Sequence, residues 1–130
     1  MKFASVRLVT LDVERLIAFY AQLSGVAAVG LADGFAEFRL PGATLAISAQ
    51  QLIQRFNAGA APAAANLSAI LEFEVDDVDR VSSLLGSAAV IVQEPTLMPW
   101  GNRSLLLRDP DGSLVNIFSR LRAFELPRLP

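Results

Sequence analysis

Residues 3–11 alternate in hydrophobicity with period two, Val6, Leu8 and Thr10 facing one way and Ser5, Arg7, Val9 and Leu11 the other, which predicts a half-buried strand. Asp12 follows where an N-cap belongs, and Leu16, Phe19, Tyr20 and Leu23 then recur at helical spacing up to Gly25, a residue suited to ending a helix. Short strands are predicted near residues 26–31, 35–40 and 43–49, with turns at Ala32-Asp33-Gly34 and Pro41-Gly42. The order then repeats. Strand 69–75, a cap at Asp77 or Asp79, a helix to about Leu85, and strands near 88–93, 103–108 and 113–118 complete a second β-α-β-β-β pattern.

The two patterns are copies. Leu11-Asp12-Val13-Glu14-Arg15 corresponds to Asp76-Asp77-Val78-Asp79-Arg80, with Asp12 and Asp77, and again Arg15 and Arg80, both 65 positions apart. A second match sets Phe38 to Ile47, through Pro41-Gly42, against Leu107 to Ile117, through Asp109-Pro110-Asp111-Gly112. The reading is therefore one α+β domain of two tandem βαβββ modules, forming a cupped mixed sheet with its helices outside. Module one spans about residues 3–50 and module two about 68–119. The connector spans about residues 51–67; its Ala/Gly/Pro-rich stretch, Asn57 to Asn66, is mobile or lid-like, and the preceding Gln50 to Phe56 make a short helical turn. A tail, 120–130, carries Phe124, Leu126 and Leu129 for a neighbouring surface, its own or a partner's.

Composition narrows the chemistry. With 130 residues, 53% hydrophobic and 18% charged, the chain is long and apolar enough to bury a core. A net charge of −2 with scattered basic residues leaves no footprint for nucleic acid. No apolar run nears the about 20 residues that span a bilayer, and Met1-Lys2-Phe3 leads straight into a strand pattern, so neither membrane nor secretory signal is expected. Cysteine is absent, which removes disulfides, thiolate ligands and a thiol nucleophile and points to the cytoplasm. Histidine is absent too, so no imidazole can serve as base or ligand. Acid–base work would fall to carboxylates, the single Lys2 or the single Tyr20.

Asp12-Val13-Glu14-Arg15 with Phe19-Tyr20, Phe73 to Asp79, and Trp100-Gly101-Asn102-Arg103 leading to Asp109-Pro110-Asp111-Gly112 resemble the vicinal oxygen chelate superfamily. That group includes glyoxalase I, extradiol dioxygenases, fosfomycin-resistance enzymes and bleomycin-resistance proteins. The resemblance covers about Ser5 to Phe118 and implies a cavity within the cup, often completed by a symmetric dimer. It also implies four metal-ligand positions, usually His or Glu, which fall here on Ser5, Ala46, Ile70 and Asn116. Two of these side chains offer no donor and two offer only neutral oxygens, so no metal and no cofactor is expected. The resemblance is closest in type to metal-free bleomycin-resistance-like members.

With Ser5 and Ile70 facing inward, Arg7, Val9, Glu72 and Glu74 share their face, Thr44 and Ser48 flank Ala46, and Leu114 and Phe118 flank Asn116. Arg7 and Glu72 hold equivalent positions and either pair within the sheet or contact a ligand. Trp100 is either a packing lid or an aromatic wall, and Arg103 either a ligand contact or one side of a cross-strand ion pair. Asp109 to Gly112 has the composition of a tight turn, Asp76, Asp77 and Asp79 suit helix capping, and Phe19 and Tyr20 suit the core. The candidate ligand-binding set is Ser5, Arg7, Ala46, Ser48, Ile70, Glu72, Trp100, Arg103, Asn116 and Phe118. The leading expectation is a homodimeric protein that binds a small aromatic or amphipathic molecule without metal. The alternatives are a metal-independent lyase or isomerase with Glu72 or Glu74 as its base, and a structural or regulatory dimer whose cup is filled.

Overall fold

In the computed structural model, residues 1–120 are described; of the tail expected over 120–130, Arg120 belongs to the last strand and 121–130 lie outside the described residues. The chain divides into two units, Met1–Asn66 with Pro110–Gly112, and Leu67–Asp109 with the chain from Ser113 onward. In unit 1, β1 (Ser5–Thr10), α1 (Val13–Ser24), β2 (Val29–Ala32), β3 (Phe35–Leu40), β4 (Ala43–Ala49) and α2 (Gln50–Phe56) follow one another. The sheet order is β1-β4-β3-β2, with β1 parallel to β4 and the other pairs antiparallel. A parallel pair needs a long crossover, and α1 with the β2–β3 hairpin provides it.

Unit 2 has the same wiring. Its β5 (Ile70–Glu74), α3 (Val78–Leu85), β6 (Val90–Leu97), β7 (Asn102–Arg108) and β8 (Leu114–Arg120) form a sheet of order β5-β8-β7-β6 in which only β5 and β8 are parallel. The fold is thus α+β, two βαβββ modules in tandem. The registers match as well: Arg7 pairs with Ala46 in unit 1, as Glu72 pairs with Asn116 in unit 2.

Local chemistry makes these elements. Asp12 and Asp77 are the N-caps of α1 and α3, and each accepts a hydrogen bond on Oδ1 from the backbone N–H three residues on, Arg15 or Arg80, at 3.1 Å. Gly25 ends α1 in the left-handed region at φ 71°, donating its N–H to the Ala21 carbonyl. Gly34 turns the β2–β3 hairpin at φ 79°, where a Cβ would stand 3.0 Å from that of Ala49, so two independent constraints require glycine. The tight turn at Asp109 to Gly112 is closed by Asp109, whose N–H donates to the Ser113 carbonyl while its Oδ1 accepts from the Ser113 N–H.

Each helix covers one face of its own sheet. Leu16, Phe19 and Tyr20 of α1 are buried with Leu8, Phe38 and Ile47, the Tyr20 ring meeting Phe19 edge-on at 5.0 Å and lying 6.4 Å from Phe38. In unit 2, Val78 and Leu85 of α3 are buried with Leu105, Leu107, Val115 and Ile117. Those apolar positions are the period-two partners of the polar ones, so burying them commits the other face to whatever else the sheet does.

Two details differ from the pattern reading. The strand expected over residues 88–93 runs from Val90 to Leu97, through Pro95. Proline is tolerated because β6 is an edge strand with register shifts between Ile91, Gln93 and Thr96, where a missing N–H interrupts little. In the connector, Ala64 donates its N–H to the Val9 carbonyl at 3.0 Å and Ala63 to Gln50 Oε1 at 2.8 Å. These bonds fasten the segment along the outer edge of β1. Ala58 and Ala64 adopt positive φ to make this path.

Candidate functional site

Register partners on neighbouring strands direct their side chains to the same face of a sheet. On the face of unit 1 turned away from α1, the middle row is therefore Arg7, Ala46 and Glu37. Ser5, Thr44 and Arg39 form the row on one side of it, and Val9, Ser48 and Phe35 the row on the other. Arg7 is exposed and donates from Nη2 to Asn57 Oδ1 at 3.1 Å, which ties it to the residue that ends α2. Ala46 and Ser48 are buried, the serine hydroxyl donating to the Ala49 carbonyl at 3.3 Å. Glu37 and Arg39 form an ion pair at 3.2 Å along β3.

In unit 2 the equivalent middle row is Glu72, Asn116 and Leu106, on the face opposite α3. Ile70 and Leu114 flank it on one side, Glu74, Phe118 and Ser104 on the other. Asn116 stands on β8 between a carboxylate and a leucine. Its Nδ2 donates to Glu72 Oε1 at 3.2 Å. Its Oδ1 is shut off from solvent and accepts no hydrogen bond among the described residues. The register gives the cause: the neighbour on the β7 side is Leu106, which has nothing to donate. A buried carbonyl oxygen left in that state costs about 1–3 kcal/mol.

The charges of this face are unevenly balanced. Glu74 is paired with Arg120 at 3.1 Å, and the same guanidinium lies 5.9 Å from the centre of the Phe118 ring. Glu72 is exposed, and among the described residues no cation pairs with it.

The candidate set thus separates. Ser5, Arg7, Ala46 and Ser48 share one face of unit 1, and Ile70, Glu72, Asn116 and Phe118 share one face of unit 2. Arg103 stands apart from both groups. It pairs with Ser119, one residue out of phase with Phe118, and so lies on the α3 side of its sheet. There its Nε and Nη2 donate to the two carboxylate oxygens of Asp79, each at 2.8 Å. Of the two roles open to Arg103 in the sequence, the geometry is that of the ion pair, made with the helix rather than across strands. The guanidinium holds the Asp79 carboxyl below its ordinary range, and the carboxylate in turn raises Arg103. Trp100 sits in the β6–β7 turn with its residue 72% exposed. Phe35, Glu37, Ser104 and Leu106 belong to these faces and escaped the sequence reading. Counting alternate positions along β3 and β7, as was done for the other strands, would have found them.

The four positions that the resemblance assigned to metal ligands are Ser5, Ala46, Ile70 and Asn116. Ala46 and Ile70 have no donor atom, Ser5 is an exposed hydroxyl, and Asn116 offers one neutral oxygen. Among the described residues no three His, Cys, Asp or Glu side chains cluster. Divalent catalytic metals take about three protein ligands of suitable charge, and this donor set does not fit one.

Paired βαβββ modules of identical strand order, with α1 and α3 each packed on one face of its own sheet, define the class. The sequence model of the glyoxalase/bleomycin resistance protein/dioxygenase superfamily matches residues 2–117, and the chain belongs to that superfamily. Solved structures agree on the fold. A glyoxalase/bleomycin resistance protein/dioxygenase from Nocardioides is 24% identical with a TM-score of 0.71, over 100% of this chain and 90% of its own. A glyoxalase/bleomycin resistance protein/dioxygenase family enzyme from Burkholderia phytofirmans PsJN is 18% identical with a TM-score of 0.78, over 90% of this chain and 97% of its own. A glyoxalase-related enzyme from Fulvimarina pelagi is 22% identical with a TM-score of 0.77, over 92% and 88%. No curated protein matches the sequence. Among the described residues no helix is long and apolar enough to cross a membrane.

Proposed function

We propose that this protein binds a small amphipathic molecule without a metal ion, by sequestration or delivery, as a cytoplasmic homodimer of the bleomycin-resistance-like type. The observation that carries the reading is Asn116. Its amide is held by Glu72 while its carbonyl oxygen lacks a donor among the described residues, in a sheet row shared with Leu106 and bordered by Ile70, Leu114 and Phe118. Small-molecule sites combine an apolar lining with a few polar groups that fix orientation, and this face has that composition. An unmet acceptor that a turn of the side chain can present to a ligand gives the cost of Asn116 a purpose.

The reading of Glu72 as the base of a lyase or isomerase has less support. A proton-abstracting carboxylate works from a dry setting. Glu72 is exposed, and its Oε1 is already engaged by Asn116. Native mass spectrometry of freshly purified protein tests the proposal, reporting subunit count, bound metal and carried ligand together. A dimer free of stoichiometric metal is expected. A divalent ion retained one per chain would overturn the metal-free reading.

A further inference from the structure

We infer that the face of unit 2 turned away from α3 selects a protonated amine carried on an apolar or aromatic body, an inference that rests on the ligand-binding reading above. At the β5 and β8 positions of the middle row the unanswered polar groups are acceptors, while Gln93, at the far end of the row on the edge strand β6, carries both a donor and an acceptor. Asn116 Oδ1 lacks a donor, and Glu72 has one oxygen held by Asn116 and no cation beside it among the described residues. The other cations on this face are spoken for. Arg120 is committed to Glu74, and Arg108, one row away opposite Leu114, has a partner of its own.

A carboxylate or phosphate ligand would meet Glu72 with like charge and bring no hydrogen to the amide oxygen. A neutral alcohol brings one hydrogen and no charge. An alkylammonium brings three N–H donors and the missing positive charge, which is what Glu72 and Asn116 together lack. The apolar requirement comes from the surroundings: Ile70 is 50% exposed, and Leu114 and Phe118 lie diagonal to Glu72 across the β5–β8 pair. For the amide oxygen to reach the ligand, the Asn116 side chain turns about its own torsion. The turn gives up the 3.2 Å bond to Glu72 and carries the amide N–H groups to the side of Leu106, a cost that the ligand's contacts must exceed.

The experiment is a ¹H–¹⁵N titration of the full chain at neutral pH with three matched probes: benzylammonium, benzyl alcohol and benzoate. Benzylammonium is expected to move the Asn116 side-chain NH₂ signals and the backbone amides of Glu72 and Phe118. It should bind about 5-fold more tightly than benzyl alcohol, the upper range for an exposed ion pair, with benzoate weakest. Glu72→Gln should remove that preference, bringing benzylammonium down to the level of benzyl alcohol in the same variant. Raising salt should weaken benzylammonium and leave the alcohol unchanged, a check that needs no variant. Equal or tighter binding of benzoate or benzyl alcohol, or a preference that survives Glu72→Gln, would overturn the amine inference and leave the binding site standing. Silence of all three probes at these signals would overturn the binding reading, and the inference with it.

Discussion

Replacing Asn116 by leucine should make the protein more stable and less able to bind. The leucine keeps roughly the volume of the amide and removes the oxygen that no donor meets, returning about 1–3 kcal/mol. It also adds an apolar contact beside Leu106, its register partner on β7, and Leu114, two residues back on β8. Against this stands the loss of the Nδ2–Glu72 hydrogen bond. That bond is 3.2 Å long and its acceptor is exposed, so Glu72 regains water and the loss is about 0.5–1 kcal/mol. The balance is a gain of about 0.5–2 kcal/mol. Urea unfolding should show a higher midpoint with an unchanged slope, and the melting temperature should rise by about 2–8 °C. Benzylammonium binding should be lost in the same variant. Asn116→Asp supplies the contrast: it places a second carboxylate against Glu72 and should destabilise at neutral pH, recovering as the pair is protonated. An Asn116→Leu protein less stable than the parent by 1 kcal/mol or more would refute the reasoning, because the amide would then be a structural bond and not an unmet acceptor. Natural sites often give up stability for function in this way.

Asp12→Ala and Asp77→Ala should each cost about 1 kcal/mol in urea unfolding, and by similar amounts, since the two caps have the same geometry. Gly34→Ala should cost about 1–2 kcal/mol, because positive φ and the approach to Ala49 both oppose a side chain; a neutral result would mean the hairpin can shift. Arg103→Gln should cost less than about 1 kcal/mol, since the ion pair with Asp79 is largely exposed and screened. Its pH dependence has a fixed sign. Asp79 titrates below its ordinary value of 3.8 in the folded protein, so the contribution is complete above that value and is lost as pH falls through the folded value. Acid unfolding of the parent should therefore be steeper there than that of Arg103→Gln.

The elements of this chain are local features and were legible as such. Asp12 and Asp77 announce helix starts through a bond to a backbone three residues away, Gly25 ends α1 by its own conformational freedom, and period two marks each strand. The duplication made the topology legible too, because two copies of one pattern fold alike: β1-β4-β3-β2 and β5-β8-β7-β6. Parity also grouped Ser5 with Arg7 and Ile70 with Glu72, since these pairs lie on single strands.

The partnerships were decided elsewhere. Asn116 meets Glu72 across 44 positions of sequence, Arg103 meets Asp79 across 24, and Arg7 meets Asn57 across 50. Period two states that Arg103 and Ser104 point opposite ways, but which of them shares a face with Asn116 depends on the pairing of β7 with β8, set by the turn at Asp109 to Gly112. The Asn116 oxygen lacks a donor only because the strand beside it presents Leu106. A sequence carries its propensities residue by residue, whereas an unmet hydrogen bond is a property of the neighbours that folding brings alongside.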